Sequence, residues 1–234
     1  MQHIKDQNWF AVGLDVIVVI AGIFLGMQVQ QWYEGRQELE QEREILYLLV
    51  NESIQRINYF ESRIAYIDTK IASQEASIQA LIDGKLPDSM TNDDFVEGVT
   101  ITRMLASPSP PNAIYDSIIA TGEIRLLRNK TLVQALANFQ SRLTGAREYA
   151  MRLAMSKPAQ SDYHPAIQSI YDPSLPGKRR QYAQFDDLVG DPAFLRQSID
   201  ILRMVSALQL RRNELLDDAQ SLHQLICNES SEDC

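Results

Sequence analysis

Phe10 to Val29 reads FAVGLDVIVVIAGIFLGMQV, twenty residues whose only charge is Asp15 and whose other strongly polar side chain is Gln28. A helix of that length rises about 30 Å, the thickness of bilayer hydrocarbon. Trp9 stands before the run and Trp32 and Tyr33 after it, where amphipathic rings settle at the two membrane interfaces. A secretory signal needs a shorter apolar core, a more basic start than Met1–Asn8 and a small-x-small cleavage site. The chain instead continues as Gln28-Val29-Gln30-Gln31-Trp32. The pattern therefore predicts an uncleaved transmembrane helix, with a buried core helix as the alternative that long apolar runs also permit.

Averages over the chain hide this segment. The 234 residues are 45% hydrophobic and carry 22 basic and 31 acidic side chains, for a net charge of −9. An acidic balance lacks the basic face that displaces counterions from nucleic acid, so that partner class is excluded. Two cysteines, Cys227 and Cys234, exclude a disulfide-stapled fold and a multi-cysteine zinc site.

Beyond Trp32 no Pro or Gly falls between Gly35 and Gly84. Leu46, Val50, Ser53, Ile57, Phe60, Ile64, Ile67, Ile71, Gln74, Ile78 and Leu81 recur at gaps of four and three, a heptad seam. The span is expected to run into this stalk as one long helix ending at Asp83-Gly84. The seam fits either a second copy or later helices of the same chain. Further helices are expected from the Asp93-Asp94 cap to Leu105, from the Asn112 cap to Gly122, and over Lys130–Met155. Lys157 to Gly190 reads as irregular, with four prolines and the basic run Lys178-Arg179-Arg180. That run is read as a solvated loop or, more sharply, a phosphate or anionic-lipid contact. Asp191-Pro192 opens a last helix with Ile201, Val205, Leu208, Arg212, Leu215, Ala219, Leu222 and Ile226 at the same spacing. No alternating strand pattern is present. The expected fold is all-α: an N-terminal transmembrane helix continuing into a heptad helix within an antiparallel helical bundle. The expected division is a tail and span over 1–33, a helical domain over 34–226 and a polar tail over 227–234.

Lys5 and the terminal amine on one side of the span balance Arg36 and Arg43 on the other, so positive charge alone sets no orientation. The large domain beyond the span translocates regardless of charge, and Cys227 and Cys234 suit a small disulfide loop in an oxidising periplasm; two free thiols are the alternative. Both points favour a cytoplasmic N-terminus, a periplasmic domain and a bacterial inner-membrane location.

His3, His164 and His223 fall in no ligand-spaced arrangement, and no HExxH, GxGxxG, Walker, GxSxG or CxxC motif occurs. Catalytic, cofactor-binding and metal-ligating residues are therefore expected to be none, Asp162-Tyr163-His164 included. Gly22 and Gly26 form a small-xxx-small pair that lets membrane helices approach closely. Asp15 is costly inside hydrocarbon, by about 3 kcal/mol on insertion scales. It is read as hydrated near the Trp9 interface, or else as a helix–helix hydrogen bond or proton-accepting site.

The run Asp15-Val-Ile-Val-Val-Ile-Ala-Gly22-Ile-Phe-Leu-Gly26-Met-Gln28-Val-Gln-Gln-Trp32-Tyr-Glu34 resembles the opening of a family of uncharacterised bacterial single-span membrane proteins. Its members carry an acidic residue, an apolar run with glycine and a Q-I-N-N-W-N-E-like exit. Tyr115-Asp-Ser-Ile-Ile-Ala-Thr-Gly122-Glu-Ile-Arg-Leu126-Leu127 is similar to that family's central block of tyrosine, glycine and leucine. The chain departs from the pattern at Gln30, Gln31 and Tyr33, where asparagines are usual, and in a less basic N-terminus. The resemblance implies the single-span architecture and no reaction. Leu14-Asp15-Val16 also resembles, more weakly, the early aspartate of the single-span subunit of proton-driven stators, without that subunit's peptidoglycan-binding domain.

The residues thus lead to a non-enzymatic, membrane-anchored helical protein that self-associates or supports a larger membrane complex, with membrane lipids as its surroundings. The alternatives are an ion-conducting or force-coupling subunit that uses Asp15, and an external helical sensor working through a partner.

Overall fold

The computed structural model describes residues 9–100, 107–156, 164–174 and 179–230. Helix α1 runs without a break over Trp9–Asp83, 75 residues and about 110 Å. It ends where expected: Gly84 takes φ +70° and Lys85 N donates to Ala80 O, a left-handed glycine stop. Two regimes divide α1. From Gly13 to Gln41 the side chains are exposed apart from Gly35, and the apolar ones from Leu14 to Val29 are between 51% and 65% exposed. This part has the length and composition to cross a bilayer. From Ile45 onward α1 buries one face.

That face meets α5, Pro192–Ser230, inside the same chain. All eight seam residues expected on α5 are buried, from Ile201 to Ile226. The pairing is antiparallel: Ser53 meets His223, Gln209 meets Ile64 and Asp68, and Gln74 meets Ser198. Helix α4, Lys130–Ala154, lies antiparallel to α5, with Arg142 on Asp218 and Ser156 near Met204. Its expected apolar face of Leu132, Leu136, Phe139, Leu143 and Ala146 is buried. Between α1 and α4 runs an extended proline segment. Ser109 N donates to the Tyr59 hydroxyl and Arg147 Nε to Pro108 O, which ties both helices to it. Helix α3, Ala113–Thr121, and a 3₁₀ turn over Glu123–Leu126 then lead back to α4.

The core is built along this arrangement. Near the apolar half of α1 lies a cluster around Leu49, Phe60, Leu127, Leu136 and Leu222. A middle cluster holds Ile67, Ala150 and Val205. At the far end α2, Asn92–Val99, packs Phe95, Val96 and Val99 on Ala80, Leu81, Phe185 and Leu188.

Several expectations need correction. Helix α2 is capped by Thr91, with Asp94 as the third residue of its capping box, rather than by Asp93-Asp94. It stops at Val99, and residues 101–106 lie outside the described ones. Helix α5 continues through Cys227 to Ser230, because no Pro or Gly stops it, so the polar tail begins later than 227. A two-stranded antiparallel hairpin, β1 Gln168–Tyr171 with β2 Arg179–Tyr182, lies in the stretch read as irregular. Four residues per strand are too few for alternation to stand out beside the prolines. Finally Asn112 precedes α3 as expected, but its side chain does not cap that helix.

Candidate functional site

The cap on α3 comes from another helix. Glu52 of α1 accepts from Ile114 N at 2.8 Å and Tyr115 N at 3.3 Å, two of the orphan donors of the first turn of α3. One turn on, Arg56 donates through Nη2 to Glu52 at 3.0 Å and to Asn112 Oδ1 at 3.2 Å, and through Nε to Pro111 O at 3.3 Å. The guanidinium lies 4.6 Å from the centre of the Phe139 ring on α4. The side chains of Arg56 and Glu52 are 2% and 4% exposed. A buried ion pair survives only when its remaining donors and acceptors are satisfied, and here backbone groups do so. Burial lowers the Arg56 pKa, while the Glu52 and Asp116 carboxylates pull it back up. Glu52 and Arg56 thus join α1, the proline segment, α3 and α4 in one buried polar knot. Neither residue was singled out from the sequence. The available signal was an acid and a base four apart, at positions beside the seam residues Val50, Ser53 and Ile57.

A second polar contact sits nearby. Ser53 Oγ donates to Val50 O at 2.6 Å and lies 2.8 Å from His223 Nδ1, so the imidazole must be the donor in that second bond. The sulfur of Cys227 rests against the ring, 3.5 Å from Nε2 and 3.7 Å from Nδ1. A serine beside a histidine invites a catalytic reading. Ser53, however, is 1% exposed and its proton is committed to a main-chain carbonyl, so the pair locks α1 to α5 and presents no nucleophile. Cys227 carries no free thiol; Cys234 lies outside the described residues.

Asp15, Gly22, Gly26, Gln28, Trp32 and Tyr33 are all exposed on the apolar half of α1. A Cβ added at Gly22 or Gly26 would meet nothing within 4 Å, so both glycines present open helix surface. Arg36 lies 4.7 Å over the Trp32 ring and Gln30 donates to Glu34, which gives the polar exit of this segment local order. Trp9 begins α1. The fold brings none of these residues near the Glu52–Arg56 knot.

The remaining candidates serve local structure. Arg180 on β2 pairs with Asp93 of α2, while Lys178 lies outside the described residues. His164 Nδ1 accepts from Ala166 N and its Nε2 lies 3.2 Å from Asp191. Asp191 caps α5 through Ala193 N and Phe194 N. Those backbone donors, with the His164 ring, hold its carboxyl below the usual range. His3, Asp162 and Tyr163 lie outside the described residues. Among the described residues no cluster of His, Cys, Asp or Glu is disposed to hold a metal ion. No protein-family model matches the chain, and no curated protein or solved structure matches it either.

Proposed function

We propose that the chain is a single-pass, membrane-anchored helical scaffold, without catalytic activity, that self-associates or supports a larger membrane complex. One observation carries the reading: α1 is apolar and exposed on every side over Leu14–Val29, yet continues unbroken into a bundle whose core is complete within one chain. An apolar surface of that extent is far larger than soluble monomers leave in water, and it belongs in lipid or against other helices. The bundle needs no second copy, because α5 occupies the α1 seam. Association therefore falls to the anchor, where Gly22 and Gly26 leave room for a close neighbour. The domain is assigned to the periplasm of a bacterial inner membrane, with the N-terminus in the cytoplasm.

Crosslinking and mass measurement in mild detergent test it. A higher-order species or a stoichiometric companion is expected, weakened in the double variant Gly22→Leu/Gly26→Leu. A strict monomer with nothing attached overturns the proposal, and recovery of the chain in the aqueous phase after carbonate washing overturns the anchor.

A further inference from the structure

His223 and Cys227 stand four apart on α5, so the helix itself sets one side chain over the other. The sulfur lies 3.5 Å from Nε2 and 3.7 Å from Nδ1 of the imidazole. Across the interface α1 fixes the ring. Ser53 Oγ gives its proton to Val50 O, so His223 Nδ1 donates to Ser53 Oγ at 2.8 Å. In a neutral imidazole that leaves Nε2 with a lone pair and with Cys227 Sγ as its one partner among the described residues. A base is thus held in a fixed tautomer against a sulfur. A cross-link that only ties down the end of the chain gains nothing from a base there.

Cys227 is disulfide-bonded and the chain has one other cysteine, so its partner is Cys234. We propose that this disulfide is redox-active: it accepts two electrons from a dithiol, and Cys227 leaves as a thiolate held by the His223 imidazolium. The exchange takes two displacements. One sulfur of the dithiol attacks Cys234 Sγ, because displacement favours the better leaving thiolate, and Cys227 departs. The second sulfur of the dithiol then attacks the mixed disulfide and frees Cys234. The S–S bond of the chain breaks and that of the donor forms. Of the two thiol protons of the donor, one ends on His223 Nε2 and the other on Cys234. Each chain is reduced once, so the exchange adds no catalytic turnover to the scaffold reading.

The surroundings of the sulfur decide whether a thiolate is stable there. Cys227 lies in the last turn of α5, whose open carbonyls disfavour a negative charge. That end carries about half a charge spread over several groups, whereas the imidazolium brings a full charge 3.5 Å from the sulfur and outweighs it. Cys227 otherwise packs against an apolar cluster that includes Leu46, Leu49 and Val50 of α1 and Leu132 and Leu136 of α4. The charged side chains of these elements are engaged elsewhere. Glu52 and Arg56 of α1 pair with each other and with the start of α3, and Glu229 of α5 accepts from Asn129 ahead of α4. His223 is therefore the titratable group in contact with the sulfur.

The test uses the full chain in an uncharged detergent. In Cys234→Ser the Cys227 thiol stands alone, and the pH profile of its alkylation by iodoacetamide is followed. The expected midpoint lies below about 7.5, at least one unit under the value of about 8.5 for an ordinary thiol. Adding His223→Gln is expected to raise that midpoint by about one unit or more. With both cysteines present, dithiothreitol is expected to reduce the parent at least about threefold faster than His223→Gln, the change that one unit of thiol pKa brings to an exchange rate. A midpoint above about 7.5 in Cys234→Ser overturns the proposal. So does a profile or a reduction rate that His223→Gln leaves unchanged. Thermal melts show whether His223→Gln folds; should it not, the Cys234→Ser profile decides alone. A cross-link with a purely structural role would shift the melt on reduction and move none of these readouts. None of them depends on whether the chain self-associates.

Discussion

Replacing Arg56 by methionine puts the buried knot to a quantitative test. The substitution roughly keeps the volume of the stem but removes the donors to Glu52, Asn112 and Pro111. Breaking a buried ion pair from one side costs about 3–5 kcal/mol, because the other charge is left in low dielectric. Glu52 keeps two main-chain donors, Ile114 N and Tyr115 N, and faces the positive end of α3. Its isolation is therefore partial, and methionine sulfur replaces some of the contact with Phe139. The lower end of the range applies, about 3 kcal/mol. For a chain of this size that is a fall of roughly 6–12 °C in melting temperature. The double variant Glu52→Gln/Arg56→Met removes both charges and is expected to regain at least about 1 kcal/mol over the single change, since a neutral amide is far cheaper to bury. Circular dichroism melts of the full chain in detergent give the stabilities. Hydrogen exchange localises the effect, because Glu52→Ala should speed exchange at the Ile114 and Tyr115 amides while α5 amides keep their protection. A melt of Arg56→Met within about 2 °C of the parent refutes the reasoning. So does a double variant that loses the sum of the two single losses.

Three further outcomes rest on single contacts. Gly98→Ala should destabilise by about 1–3 kcal/mol in a denaturant titration, since a Cβ there would lie 2.8 Å from Ser73 O and closer still to Ser77 Oγ. Ser77→Ala should fail to restore the loss fully, because the Ser73 carbonyl stays in place. Phe60→Ala, at a fully buried position, should cost about 3–5 kcal/mol by the same titration, and a loss under about 1 kcal/mol would show that the proximal core is not closed as described. Asp191 titrates in the folded chain below its ordinary value of 3.8, so its stabilisation is present above that value and is lost as pH falls through the folded pKa. Asp191→Asn keeps the cap oxygen but not the charge, and should flatten the fall in melting temperature between about pH 5 and pH 2. An unchanged slope would place the acid sensitivity elsewhere.

The two seams were legible because heptad spacing is a property of one helix face, and burial of Ile201 through Ile226 results from it directly. The identity of the partner was not legible, since a repeating apolar face fits any other such face. What settles it is polar: Gln209 reaches Ile64 O and Asp68, Gln74 reaches Ser198 O, and Ser53 meets His223. Gln74 and Gln209 are buried, and these bonds give their amide nitrogens partners while together they fix one antiparallel register within one chain. The Glu52–Arg56 knot escaped the sequence for a related reason. An acid and a base four apart on a helix usually form an exposed pair worth little, and only the proline segment and α3 folded over them turn the pair into a buried cap. The continuity of α1 has a mechanical consequence as well. The helix passes from the apolar segment to the far end of the bundle with no proline, and Gly35 is the only glycine between Gly26 and Gly84. Among the described residues the α1 side chains between Trp32 and Glu42 are exposed apart from Gly35, so a change in the tilt of the bundle against the apolar segment would bend this stretch. Gly35 is the residue of lowest helix propensity in that stretch.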